Sequence, residues 1–559
     1  MMLKPASVNE PFAPCIVMDG KRSALPEDLQ PDEIDLLSSI YPEIDDPKLC
    51  ARLADLVWLV QKPKDPNAAI AAIDAYRQVP ISRDSWIRDG RDCWNRAVQL
   101  CLMLRSGAGE RLNEIEQTLL DALLTATFEE GKLALWLADA LVKYGLATSD
   151  RTRICSHMEG IAKTYDEGGN IHRARDYYEC AGDCYRRVGN QAKFSEMSAL
   201  CAETWVREVI SRQSYDSSPS HMVAASFYES AIQKYRTIPR VHRADHDVEA
   251  RINELRALLS EAGEKSLEEM SVISSNSIDI SELVQHSKAV VKGKLPLDAL
   301  LGLANIYQGA QVQKIREFSK QMMAEHPLQA FFAATHMSAD GRVVAKRPGA
   351  DPGSDGSEDA LWAGMVKHYV MELGIVVQGN VWPALEVIRL EHRIRESDFI
   401  LLARQSPLVP PGRESLVGKA LFAGYDNDFV TSIHILVPQL EHLVRFHLKQ
   451  AGVNTTNLDQ NGIEDEHGLS TLMNNMEVQA IFGENVAFEI KALFCDPFGP
   501  NLRNELAHGL VGFEQAQSMY SIYVWWLMLR VIFNTFWNAR QRAIQQIETS
   551  KRVEEDTGA

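Results

Sequence analysis

Net positive charge is missing from this chain of 559 residues: 76 acidic side chains outnumber 58 Lys and Arg, for a formal charge of −18. A field of that sign does not draw in polyanions, which excludes a protein that coats nucleic acid or an anionic membrane. Contact with RNA would be confined to a pocket or a small basic strip. Cysteine is sparse and unpatterned. Cys15, Cys50, Cys93, Cys101, Cys155, Cys180, Cys184, Cys201 and Cys495 form an odd, scattered set, as expected of reduced thiols in a cytosolic protein. Cys180 and Cys184 share a helical face, but no second close pair completes a zinc site. His434, His442 and His447 are spaced eight and five apart and do not converge on a metal. The stretch up to Arg22 has no continuous apolar core, so no secretory signal is expected. The longest apolar run, Ser518 to Trp537, is interrupted by Arg530 and Asn534, which reads as a buried or dimer-facing helix rather than a membrane span. Gly412 to Ala420 has one residue too many, and Ala for Ser or Thr, to serve as a phosphate-binding loop. No Gly-x-Ser-x-Gly, zinc-peptidase or dinucleotide signature occurs. The expectation is a soluble cytoplasmic protein with no cofactor, no metal and no membrane partner.

What is present is ordinary globular material, 45% hydrophobic and 24% charged, in a chain too long for one core. Two to four mostly α domains are expected. Residues 1–45, rich in Pro and acid, read as a poorly ordered lead-in. Residues 46–265 read as a helical scaffold in which a pattern recurs: Ala162, Tyr165 and Gly169-Asn170; Ala174, Tyr177 and Tyr178; Ala181, Tyr185 and Gly189-Asn190; Ala224, Tyr228, Ala231 and Tyr235. Small residues let helices approach, aromatics fill the gaps, and Gly-Asn makes the turn. The pattern resembles tetratricopeptide-type repeats, and a generic helical bundle packed with Ala and Tyr accounts for it equally well. Residues 278–405 form a mostly helical middle region, with a short hairpin turning at Ser338 to Gly341 and a flexible loop from Gly349 to Gly356. Pro407, Pro410, Pro411 and Gly412 mark the strongest domain boundary. Residues 413–550 then read as a compact bundle of four or five antiparallel helices.

The chemistry-bearing residues cluster in Arg503-Asn504-Glu505-Leu506-Ala507-His508-Gly509, just after the turn Asp496-Pro-Phe-Gly-Pro500. On a helix Asn504 and His508 share a face and Arg503 sits at its edge. A permanent cation, an amide and an imidazole at one helix end suit phosphoryl chemistry. The alternative is a structural helix start closed by a His-Gly cap. Upstream, Gly424-Tyr-Asp426-x-Asp428 leads into His434-Ile-Leu-Val-Pro438-Gln439-Leu-Glu441-x-x-x-Arg445, where Glu441 and Arg445 are spaced for a salt bridge.

These segments resemble the HEPN superfamily, whose signature is Arg-polar-x-x-x-His late in a helical bundle. The extended form, Asn-Leu followed by Arg-Asn-x-x-x-His-Gly, is similar to the family called domain of unknown function 4209. The resemblance implies a metal-independent endoribonuclease, usually a symmetric dimer with the Arg and His of both protomers at a shared cleft. It implies 2′-hydroxyl attack leaving a cyclic phosphate, with His508 transferring protons, Arg503 stabilising the transition state and Asn504 orienting His508 or holding a phosphate oxygen. Glu441 and Arg445 would line the site, supported by Gly509. The implied partners are RNA, a second copy of the chain and a protein on the N-terminal array, in a toxin or antiviral defence effector. The competing expectation is a non-catalytic dimerising or nucleotide-binding protein whose helical array recruits a partner.

Overall fold

The computed structural model describes residues 3–5, 11–18, 21–215, 219–272, 277–349 and 356–557. Helices dominate; among the described residues the strands pair only as four two-stranded antiparallel hairpins. The chain divides into two units, Met1–Met270 and Ser271–Ala559.

In the first unit each helix from Arg151 to Ser266 packs on its sequence neighbour. The Gly-Asn pairs make this possible. Gly169 takes φ of +75° and Gly189 of +79°, the left-handed conformation that only glycine adopts without strain. Asn170 and Asn190 then cap the following helices by accepting the backbone N–H groups of Arg173 and Lys193. Ala162, Ala174 and Ala181 are fully buried, and Tyr177, Tyr178 and Tyr185 fill the space beside them. The expected lead-in is corrected. Helix Pro31–Ile40 packs on helix Pro47–Val60, and the Phe12 ring is buried with the Arg52 guanidinium 4.2 Å from its centroid. Apolar and cation–π contacts to a long helix hold the described part of this segment despite its Pro-rich composition. A Ser/Pro-rich interval separates helices Gln191–Tyr215 and His221–Arg236, and part of it (216–218) lies outside the described residues.

The buried Glu159 carboxylate accepts hydrogen bonds from Lys163 (2.6 Å), Lys193 (2.9 Å) and Tyr185 (2.7 Å). Burial alone would raise its pKa, but these three donors outweigh it and bring the group down to about 2. The folded value lies below the unfolded one, so the stabilisation is fully present above about pH 4.5 and lost as pH falls towards 2. Glu159→Gln should therefore cost about 2 kcal/mol near neutral pH. It should also flatten the acid limb of the first unit's stability profile between pH 4.5 and 2, measurable by urea unfolding across that range.

The second unit corrects the division at Pro407–Gly412. One hydrophobic core runs from Val291 through Tyr369, Phe399 and Leu436 to Phe536, so residues 278–405 and 413–550 fold around shared contacts. The prolines make a turn within that core: Ser406 Oγ donates to the Ile532 carbonyl, and Val409 is buried. The aromatic segment begins the long helix Met519–Thr557 and is buried by its own chain. Trp525 and Trp526 are both 0% exposed and donate through Nε1 to the carbonyls of Leu421 and Leu303. Phe533 and Phe536 are buried as well, with Trp537 packed against the core. A dimer is therefore not needed to hide these aromatics. Arg530 pairs with the fully buried Glu489, and Asn534 exchanges hydrogen bonds with Asn305. Glu489 also accepts from Tyr369, Tyr523 and the Ala310 N–H.

The expected hairpin forms from strands Ala334–Met337 and Val343–Arg347, with Gly341 at φ of +80° in the turn. Most of the expected Gly349 to Gly356 loop (350–355) lies outside the described residues. Among the described residues, Ser357–Glu391 alone is long and apolar enough to cross a membrane; half of its most apolar window is buried inside the protein.

Candidate active site

Two helices carry the site. Helix Phe429–Gln450 starts where Asp428 accepts the Thr431 N–H. Gly424, just before it, leaves room for the Trp525 indole, which a Cβ would meet at 2.2 Å. Glu441 and Arg445 lie one turn apart and join at 2.7 Å, as their spacing requires. The second helix is short, Leu502–Ala507. It follows the expected turn, where the Asp496 carboxylate accepts the Phe498 N–H, and it begins at Asn501 with φ of +48°.

Arg503 is held across the gap between the helices. Its Nε donates to Glu441 at 2.8 Å and its Nη1 to Asn504 Oδ1 at 3.2 Å, and 30% of the side chain remains exposed. Its Nη2 makes no hydrogen bond among the described residues. Glu441 bridges the two arginines, and Arg445 also donates to the His467 carbonyl. Burial opposes the Glu441 charge, but Arg503 and Arg445 more than reverse that and hold its pKa below the usual carboxylate range. Arg503 is therefore anchored through one edge by a carboxylate that stays ionised.

His508 stands where the His-Gly cap reading put it. The helix ends at Ala507, and His508 is its C-cap. Gly509, at φ of +67°, follows, and the Leu510 N–H reaches back to the Glu505 carbonyl at 2.8 Å, which is the Schellman closure. The cap gives Gly509 a backbone reason and leaves the His508 side chain exposed, with no hydrogen bond to any described residue. Asn504 is not its partner: its amide donates to Asn501 Oδ1 at 2.8 Å. The structure thus ties Arg503, Asn504, Glu441 and Arg445 into one network and leaves His508 free beside it.

Sequence reasoning missed Glu466, which pairs with Arg445 and Lys449 from the end of a small hairpin, Thr456–Leu458 with Glu464–Glu466. Only the acid-rich loop composition hinted at it. Asn501, the first residue of the Asn-Leu prefix, fixes Asn504 by accepting its amide. The three histidines of the long helix do not converge: His434 bonds the Val430 carbonyl and His447 the Leu408 carbonyl. The pKa of His442 is lowered by burial and by nearby Arg413, Arg445 and Lys449. Gly418 serves packing, since a Cβ there would meet the Ile400 backbone at 2.5 Å. A cavity of about 350 Å³ borders Asn501, Leu502 and Glu505, a different flank of the short helix from Arg503 and His508.

Comparisons with known proteins bear mainly on the other end of the chain. Residues 1–113 match a family described as "Domain of unknown function (DUF7380)". No curated protein matches the chain. A solved structure titled "Circular tandem repeat protein with novel repeat topology and enhanced subunit contact surfaces" aligns over 92% of this chain and 90% of its own, at 12% identity and a TM-score of 0.17.

Proposed function

We propose that the second unit is a HEPN-type, metal-independent endoribonuclease acting as a dimer on RNA, in the setting of a toxin or defence effector. The observation that carries the reading is an Arg503 guanidinium held at one edge by Glu441, with the His508 imidazole exposed and unengaged at the end of the same helix. In this reading the free edge of Arg503 meets a phosphate oxygen and stabilises charge as the phosphorus becomes five-coordinate. A 2′-hydroxyl gives up its proton to an imidazole and attacks the adjacent phosphorus. The 5′-oxygen leaves with a proton from a second imidazole, which a facing protomer supplies. Asn504 and Asn501 fix the guanidinium plane, so that Asn504 positions Arg503 instead of orienting His508. The first unit serves as the targeting array, and its protein partner binds there.

Glu441 is then a positioning residue. Glu441→Gln should leave the far-UV circular dichroism unchanged and lower cleavage about tenfold or more, the effect of loosening one charge-assisted hydrogen bond. Unchanged cleavage would separate Glu441 from the chemistry.

One observation favours the competing reading. The His508-Gly509 cap and the Arg503–Glu441–Arg445 network both have structural work that joins two helices. A non-catalytic dimerising or nucleotide-binding module would keep the same contacts. Incubation of mixed cellular RNA with wild-type and His508→Ala proteins decides between the two.

A further inference from the structure

The first unit encloses a cavity of about 550 Å³, within the range of small-molecule sites. Its walls come from the segment around Phe12, from helices Pro47–Val60, Pro66–Tyr76 and Arg91–Leu104, and from helix Leu133–Lys143. Tyr76 and Trp136 supply flat surfaces, and Arg52, Arg91, Arg96 and Lys143 supply charge.

The four cations are not equivalent. Arg96 is committed: Nε and Nη2 donate to the fully buried Asp55, both at 2.8 Å, and Tyr76 closes the same carboxylate at 3.1 Å. Arg91 lies 3.9 Å from Asp92. Arg52 has no such partner. Its guanidinium rests on the Phe12 ring, makes no hydrogen bond or ion pair among the described residues, and has Nη1 closed off from water. Lys143 Nζ lies 5.3 Å from the Tyr144 ring centroid and pairs with no carboxylate among the described residues. Of the acids on the wall, Asp89 is bonded to Lys48, Asp92 is beside Arg91, and Asp139 is exposed and forms no ion pair among the described residues. Buried donors are nearly always paired, and a charged donor left without an acceptor is costly to hold in place. The ordered Arg96–Asp55–Tyr76 wall fixes the cavity without using Arg52. The planar fork of an arginine suits a carboxylate or a phosphate.

We propose that this cavity binds a small molecule bearing a carboxylate or phosphate on a flat apolar body, with Arg52 as its anchor, Lys143 as the second cation and Trp136 as the stacking wall. The site is independent of Arg503 and His508, and its test involves no RNA.

The test is isothermal titration of the full-length protein with benzoate, phenyl phosphate and benzyl alcohol. At least one of the two anions should bind saturably at one site per chain, and comparing them distinguishes carboxylate from phosphate. Arg52→Gln should weaken that binding about tenfold or more, the loss of a charge-assisted contact. Lys143→Gln should weaken it by a smaller factor and serves as the second variant if Arg52→Gln fails to fold. Absence of saturable binding by both anions would overturn the proposal. So would wild-type affinity in the folded variants, or equal binding of benzyl alcohol.

Discussion

Replacing His508 by Ala is expected to lower the rate of RNA cleavage about a hundredfold or more, the usual contribution of a positioned acid–base group. The fold should be unaffected, because the side chain is exposed and the cap is built from backbone N–H groups of His508, Gly509 and Leu510. Arg503→Ala should be at least as damaging to the rate, since in the proposed mechanism it removes the charge that meets the transition state. It should also cost some stability, because Glu441 loses its 2.8 Å partner. Arg503→Lys should rescue poorly: an ammonium cannot bond Glu441 through one edge and a phosphate through another. Single-turnover rates on a fixed RNA substrate, with thermal unfolding of each variant, check all three. Equal activity in wild type, His508→Ala and Arg503→Ala would leave the second unit as an interaction module.

The second large effect concerns the core. Glu489→Ala should destabilise the second unit by about 3–5 kcal/mol, as when one partner of a buried ion pair is removed. The carboxylate is fully buried and receives Tyr369 at 3.2 Å, Tyr523 at 2.5 Å, the Ala310 N–H at 3.0 Å and Arg530 at 3.2 Å. Truncation leaves all four donors short of an acceptor at once. These donors come from both sides of the Pro407–Gly412 turn, so the second unit should unfold in a single transition in urea. A loss of less than about 1 kcal/mol, the scale of an exposed pair, would mean that the network contributes little. Two separate transitions within the second unit would restore the division at the prolines.

Much of this was legible from residue patterns. The Gly-Asn turns, the Ser338 to Gly341 hairpin, the Asp428 cap and the Glu441–Arg445 pair are local, set by residues within four or five positions of one another. What misled was long-range. The Pro/Gly cluster at 407–412 carries every local sign of a boundary, while the contacts that cancel it reach from Ser406 to Ile532 and from Trp526 to Leu303. The same contacts explain why an aromatic helix that reads as a dimer face is covered by its own chain. At the site, the motif left His508 either on the helix face or as part of a His-Gly cap, and the backbone turn at Gly509 makes it the cap. The Asn504–Asn501 bond depends on a left-handed Asn501, which composition does not signal.

The most direct measurement is the chemistry of the RNA ends produced by purified full-length protein in excess chelator. The proposed chemistry gives 2′,3′-cyclic phosphate and 5′-hydroxyl termini by mass spectrometry, no cleavage of a DNA strand of the same sequence, and loss of product with His508→Ala. Cleavage that stops with chelator, or that yields 5′-phosphate ends, would contradict it.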